Sequence, residues 1–241
     1  MARTPSVLSP EAALERLGRI RLNDHSTSSV LDEIVGLAQQ SLTGDVEASV
    51  TLIRSGKPFT AAYSGHLARD LDERQYGQGD GPCLEAATNG HAVDIPDAVG
   101  DDRWPEYLPV AVRAGCRSML SLPFPVAEQL SGGLNLYGRE TGVFDETGRG
   151  FAERFASYAA VVAGNMLAYE QARERAQNLQ VALESRAVID QAKGVLMERH
   201  KLTADQAFQT LARLSMETNT TVRTIAERVI ESGELSGRPQ Q

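Results

Sequence analysis

Two cations seven residues apart, Arg186 and Lys193, stand in a stretch of helical periodicity late in the chain, and Gly194 follows directly. Seven residues are about two turns, so both side chains leave nearly the same helix face. Cations so placed suit phosphate. A glycine inside a helix costs about 1 kcal/mol relative to alanine, and such a position calls for close packing or for close approach of a ligand. A plainer reading stands beside this one. Asp190 lies four residues after Arg186 and three before Lys193, which allows surface ion pairs worth about 0.3 kcal/mol each, with Gly194 simply admitting a neighbouring helix.

Charge distribution favours that stretch as the part able to meet a polyanion. The 241-residue chain carries a formal net charge of −8, against non-specific nucleic-acid binding over its whole surface. Residues 186–231 hold seven Lys/Arg (Arg186, Lys193, Arg199, Lys201, Arg213, Arg223, Arg228) and six acids, a net of +1, so nearly all the negative charge lies elsewhere.

Other chemistry is thinly represented. There is no P-loop, no G-x-S-x-G and no paired metal-binding motif, so the chain reads as a non-enzyme without a cofactor or metal. Its four histidines, His25, His66, His91 and His200, are dispersed, and two cysteines, Cys83 and Cys116, have no metal-ligand spacing. Asp101, Asp102 and Arg103 read as a solvated loop. No run approaches the roughly 18 apolar residues of a membrane span, and "MARTPSVLSPEAALERL" lacks the apolar core of a signal peptide. The expectation is a cytoplasmic protein that meets no membrane, with reduced thiols.

The elements that must position these residues follow from periodicity. Ser9-Pro10 starts a short peripheral helix, and Leu31, Ile34, Val35, Ala38 and Leu42 mark an amphipathic one. Val46, Ala48, Val50 and Leu52 then alternate with Glu47, Ser49, Thr51 and Ile53, and "RSGKP" turns the chain into "FTAAYS", an antiparallel pair. "AVDI" is a short strand. "SMLSLPFPV" and "LSGGLNLYGR" form a second hairpin, and between the hairpins lie the helix-prone "PCLEAATNG" and "WPEYLPVAVRAG". From Asp145 a helical pattern runs without proline, first with a stripe of Phe151, Phe155, Tyr158, Ala159 and Val162. Then comes a narrow seam of Met166, Tyr169, Ala172, Ala176, Leu179 and Leu183, the pattern of a two-stranded coiled coil and hence of a homodimer.

This is an α+β order with a mainly antiparallel sheet. With "YGQGDGPCLEA" it resembles a GAF domain, a small-molecule sensor module, over residues 25–170. The resemblance implies a ligand pocket on that segment and the facing strands, with Tyr63, Asp80, Cys83, Cys116 and Asn135 as candidates. Each has an ordinary alternative in packing or turn chemistry. The N-K-F-D-E set of cyclic-nucleotide GAF domains is not present as such.

Three helices complete the chain: one continuing to about His200, one opened by a Thr203/Gln206 capping box, one from Thr220 or Thr221 to Gly233. Ile189, Val195 and Leu196 are expected to meet Phe208, Leu211 and Leu214, and Val222, Ile225 and Val229, in a small core. Arg186–Ile230 resembles an ANTAR domain through Ile189, Ala192, Lys193, Gly194, Leu196 and Met197, then Ala204, Ala207, Phe208, Leu211 and Arg213, then Val222, Ile225, Ala226 and Val229. That resemblance implies a dimer binding paired RNA stem-loops near a terminator. Lys193 and Arg186 would contact phosphate or base, Ala192 and Gly194 would shape the surface, and Arg199, Lys201 and Arg213 would assist unless paired with Glu198, Asp205 or Glu217.

The chain is therefore expected to comprise an extension over 1–24, a GAF sensor over 25–165, a helical connector over 166–184, an ANTAR domain over 185–233 and a tail over 234–241. Three other functions fit the residues: a DNA-binding factor, since three short helices suit a helix-turn-helix, a GAF-like redox enzyme using Cys83 and Cys116, and a purely protein-interaction module.

Overall fold

The computed structural model describes residues 8–128 and 130–232, which fall into two compact units, one through Glu170 and one from Gln171. Gly233 and the tail over 234–241 lie outside the described residues.

The first unit is built on one sheet. Helices α1 (Pro10–Gly18) and α2 (Thr27–Ser41) precede strands β1 (Val46–Arg54) and β2 (Lys57–Tyr63). Then come α3 (His66–Gln78), α4 (Pro82–Asn89), β3 (Val93–Ile95), α5 (Leu108–Arg113), β4 (Ser118–Pro123) and β5 (Leu130–Gly138), and α6 (Glu146–His200) begins. The strands lie in the order β2-β1-β5-β4-β3, every pair antiparallel. β1 and β5 run in register from Val46↔Gly138 to Arg54↔Leu130 and form the centre.

Local chemistry fixes the helix starts. The Ser9 side chain accepts from the Ala12 N–H ahead of Pro10, and Ser26 with Ser29 forms a reciprocal capping box on α2. The N-terminal helix is not peripheral: Ala13 and Leu17 are buried in the same core as α2, because a nine-residue helix is stable only through its packing.

Apolar material covers both sheet faces. On one side Val46, Ala48, Val50, Leu52, Leu120, Leu122, Leu134 and Leu136 meet α2 and the stripe Phe151, Phe155, Ala159 and Met166 of α6. Burial of each large side chain there stabilises by about 1.5–3 kcal/mol. On the other, α3, α4 and the loop before α5 contribute Leu67, Leu71, Ala86, Trp104 and Tyr107 against Ile95, Met119 and Tyr137. The alternation read from β1 implies a solvated second face, yet Ser49 and Thr51 are wholly buried. The reason is α3, a helix the apolar pattern does not announce.

In the second unit α6 runs to His200, followed by α7 (Ala204–Thr218) and α8 (Val222–Ser232). The Thr203/Gln206 capping box is formed, and the chain reverses through left-handed residues Lys201 (φ 56°) and Asn219 (φ 50°). Ala192, Leu196, Ala207, Leu211, Ile225, Ala226 and Val229 are the core. Phe208 is not part of it. The inward stripe of α7 is Ala207 and Leu211, and Phe208, one residue round the helix, is 46% exposed.

Candidate nucleic-acid interface and sensor core

In the second unit, Arg186 is 81% exposed and sits 3.7 Å from Asp190, while Lys193 Nζ donates to the same carboxylate at 2.9 Å. Asp190 thus bridges both cations, and its carboxyl is held below its usual range chiefly by the hydrogen bond from Lys193. The pairs are solvent-facing and therefore weak, so Asp190 does not hold either cation strongly. The Lys193 side chain is 24% exposed, its stem covered and its ammonium accessible to Asp190.

Gly194 lies on this exposed surface, and a Cβ built there meets nothing within 4 Å. The glycine therefore does not admit a neighbouring helix of its own unit, which removes the packing explanation for it. Ala192, by contrast, is completely buried. Its expected place on the binding surface is corrected: it faces the core, because it shares the inward stripe with Leu196.

The outlying cations are dispersed. Arg199 is exposed in the last turn of α6. Lys201, in the turn after it, donates to Glu198 at 2.8 Å. Arg213 lies 3.9 Å from Glu217 on α7. Arg223 was not singled out by spacing, yet it approaches Glu184 and Ser185 from α8 at 3.9 and 3.5 Å, so it ties α8 to α6.

The first unit holds a buried polar network on the α3 side of the sheet. Asp72 accepts from Tyr137 Oη at 2.5 Å, Thr60 Oγ1 at 3.0 Å and Asn135 Nδ2 at 3.3 Å. Tyr76 Oη lies 3.0 Å from Thr60 Oγ1 and 2.8 Å from Thr51 Oγ1, which in turn is 3.1 Å from Cys83 Sγ. Each hydroxyl and the thiol has one proton, so an ionised Asp72 orders the chain: Cys83 donates to Thr51, Thr51 to Tyr76, Tyr76 to Thr60 and Thr60 to Asp72. Burial raises the Asp72 carboxyl to about 6, and the hydrogen bonds it receives oppose that rise.

Gln75 completes the network. Its Nε2 donates to Tyr107 and Tyr137, and its Oε1 accepts the Cys83 backbone N–H at 2.8 Å, capping α4 where Gly81 supplies no side chain. Gly81 sits at φ 151° with a Cβ position 2.2 Å from Gln75 Oε1, so only glycine fits.

Of the five residues expected around a ligand, Asn135 and Cys83 come together through Thr51. The other three do not join them. Tyr63 is 41% exposed on β2 beneath the Arg69 guanidinium, and Cys116 is buried with its Sγ donating to Ser118 O. Asp80 lies in the α3–α4 turn, accepting from Gly81 N and from Trp104 Nε1. Burial also pushes both thiols up, Cys116 to about 12 and Cys83 further, which disfavours the thiolate form of each. The residues that spacing missed are Asp72, Gln75 and Tyr76. Their signal was two polar residues, Asp72 and Gln75, on the buried stripe that Leu67, Ala68 and Leu71 begin.

Among the described residues no group of three or more His, Cys, Asp or Glu could hold a metal ion, and no helix is long and apolar enough to cross a membrane.

An α+β unit with a buried polar centre is followed by a three-helix unit that carries Arg186 and Lys193 on one helix face. The GAF domain family model matches residues 24–162 and the ANTAR domain model residues 177–230: the chain belongs to the GAF domain family and carries an ANTAR domain. Over 50 residues it is 38% identical to the transcriptional regulatory protein PdtaR of Mycobacterium tuberculosis. That match covers 21% of this chain and 24% of the relative, so the chain spans about a quarter of the length of the curated relatives it matches.

Among solved structures, the free methionine-R-sulfoxide reductase of Staphylococcus aureus in its reduced form is similar at a TM-score of 0.50 with 15% identity, over 64% of this chain and 92% of that one. A domain of a putative two-component sensor histidine kinase from Sinorhizobium meliloti gives 0.50 with 20% identity, over 62% and 98%. Likeness at such identity concerns the fold alone. The α+β domain, long helix and three-helix domain expected from the sequence are all present.

Proposed function

We propose that this protein is a cytoplasmic, signal-responsive RNA-binding regulator of transcription termination that works as a homodimer and catalyses no reaction. Its GAF unit receives a small-molecule signal; its two ANTAR units bind paired RNA stem-loops and stabilise the antiterminated transcript. The relative PdtaR, a transcriptional regulator, supports the output side of this reading.

One observation carries it. Arg186, Lys193 and Gly194 share an exposed helix surface on which the glycine answers no packing need of its own unit. Absence of a side chain there lets an RNA backbone approach while the cations neutralise phosphates, which replace Asp190 as their partner. The exposed apolar residues Leu179 and Leu183, one turn apart, support pairing of two connector helices. Met166 and Tyr169, by contrast, are taken into the core of the first unit, so the available seam is shorter than the sequence pattern.

The test is binding of a tandem-hairpin RNA by the full chain and by Lys193→Ala, with duplex DNA as competitor. We expect the variant to lose at least about 1 kcal/mol of affinity and to show a salt slope shallower by about one. Preference for the duplex, or unchanged RNA binding by the variant, overturns the reading.

A further inference from the structure

The core of the second unit is made of seven buried side chains, none of them aromatic, while the ring of Phe208 is left 46% exposed on α7. The direction of that ring follows from the sequence. The inward stripes of α6 and α7 are alike: Ala192 with Leu196 four residues on, and Ala207 with Leu211 four residues on, all completely buried. Lys193 directly follows the first alanine and Phe208 the second, so each is turned about 100° in the same sense from its buried stripe.

Only Lys201, Leu202 and Thr203 separate α6 from α7, a connection short enough to set two helices antiparallel. In an antiparallel pair, flanks turned in the same sense come to the same side, so Lys193 and Phe208 stand on one face of the hairpin. Arg186 and Met197, turned about 120° and 140° from Ala192, extend that face along α6, and Met197 is 38% exposed. Helix α8 takes the opposite side. Its Arg223 lies 3.9 Å from Glu184, which is turned about 80° from Ala192 in the other sense.

We infer that Phe208 stacks on an unpaired base of the bound RNA, while Lys193 and Arg186 take the phosphates beside it. The face calls for that occupant. Two cations require an anion, and an exposed phenyl ring with a thioether nearby requires a flat apolar partner; a nucleotide drawn out of its stack supplies both. Bases inside an uninterrupted duplex keep their faces covered. A second copy of the chain fits less well, because a two-fold interface sets one patch against itself and would bring Lys193 and Arg186 against their own counterparts.

This inference rests on the reading of the protein as an RNA-binding regulator and specifies what its RNA must present, an extruded base. The test is a double-mutant cycle on the full chain, with a tandem-hairpin RNA in which each loop position is made abasic in turn. Phe208→Leu keeps apolar bulk and helix propensity but loses the ring face. We expect it to weaken binding about tenfold with helical circular dichroism and salt slope unchanged, and Phe208→Tyr to bind like the native chain. At one loop position the abasic change should cost the native chain a similar factor and the Phe208→Leu chain almost nothing further, because both remove the same contact.

Native affinity in Phe208→Leu, a shallower salt slope, or additive losses at every loop position overturns the inference, while RNA binding by the native chain leaves the regulator reading standing. A Phe208→Leu chain that becomes monomeric in sedimentation equilibrium also overturns it and assigns the ring to a second copy. A native chain that ignores the RNA overturns both.

Discussion

At the scale of single residues, Gly194 and Asp72 are both placed against the rules of folding stability. A mid-helix glycine with open space around its Cβ position lowers helix stability for no gain in packing. Gly194→Ala should therefore raise stability in thermal denaturation by up to about 1 kcal/mol while weakening tandem-hairpin RNA binding. A variant that is stabilised and binds RNA as before would show that the position serves something other than RNA. Asp72 is a buried acid whose partners here are neutral donors, and burial raises its carboxyl to about 6, above the roughly 3.9 of an unfolded chain. The folded state thus favours the protonated form. Its contribution to stability is fully present below pH 4, is lost as pH rises towards about 6, and is level above that. Urea denaturation followed by Trp104 emission should show this decline in the native protein, on the order of 2–3 kcal/mol, and its absence in Asp72→Asn. The amide retains an acceptor for Tyr137 and Asn135 and can donate to Thr60 once the hydroxyl chain turns round, so the substitution mimics the neutral acid.

At the scale of elements, α7 and α8 are too short to stand alone, and they and the end of α6 hold one another through seven buried side chains, three of them alanines. So small a core has no reserve. Leu211→Ala should cost about 2–5 kcal/mol and melt the three-helix unit, read as loss of helical circular dichroism with the Trp104 emission of the first unit unchanged. Ala192 belongs to the same argument: there is no room for a larger side chain at a position with no exposure. In the first unit α3 does comparable work by polar means, since Asp72, Gln75 and Tyr76 tie it to β1, β2, β5 and α4 through hydrogen bonds.

At the scale of the whole molecule, the proposed regulation requires two chains. Leu179 and Leu183 are 63% and 55% exposed on α6, and a double change to glutamate should yield a monomer in sedimentation equilibrium. A monomer loses the gain from engaging two stem-loops at once, so binding of the tandem RNA should fall by about 10²-fold or more while binding of one isolated hairpin is unchanged. A dimer that survives the double change would place the interface elsewhere.

Much of this was legible in the sequence because it depends on neighbours a few residues away. The capping box at Thr203, the hairpins, the reach of α6 to His200 and the ion pairs from Asp190 to Arg186 and Lys193 are all consequences of local spacing. What only the tertiary structure decided depends on which faces are covered. Ser49 and Thr51 read as solvent-facing until α3 lies across them, and α3 itself was hidden because Asp72 and Gln75 occupy its buried stripe and break the apolar period. Ala192 and Phe208 exchange their expected places, core for surface, since one residue along a helix is a rotation of about 100° and periodicity alone does not say which stripe a small core will choose. The hydrogen bond from Trp104 to Asp80 joins segments more than twenty residues apart, and no local pattern brings an indole to that carboxylate.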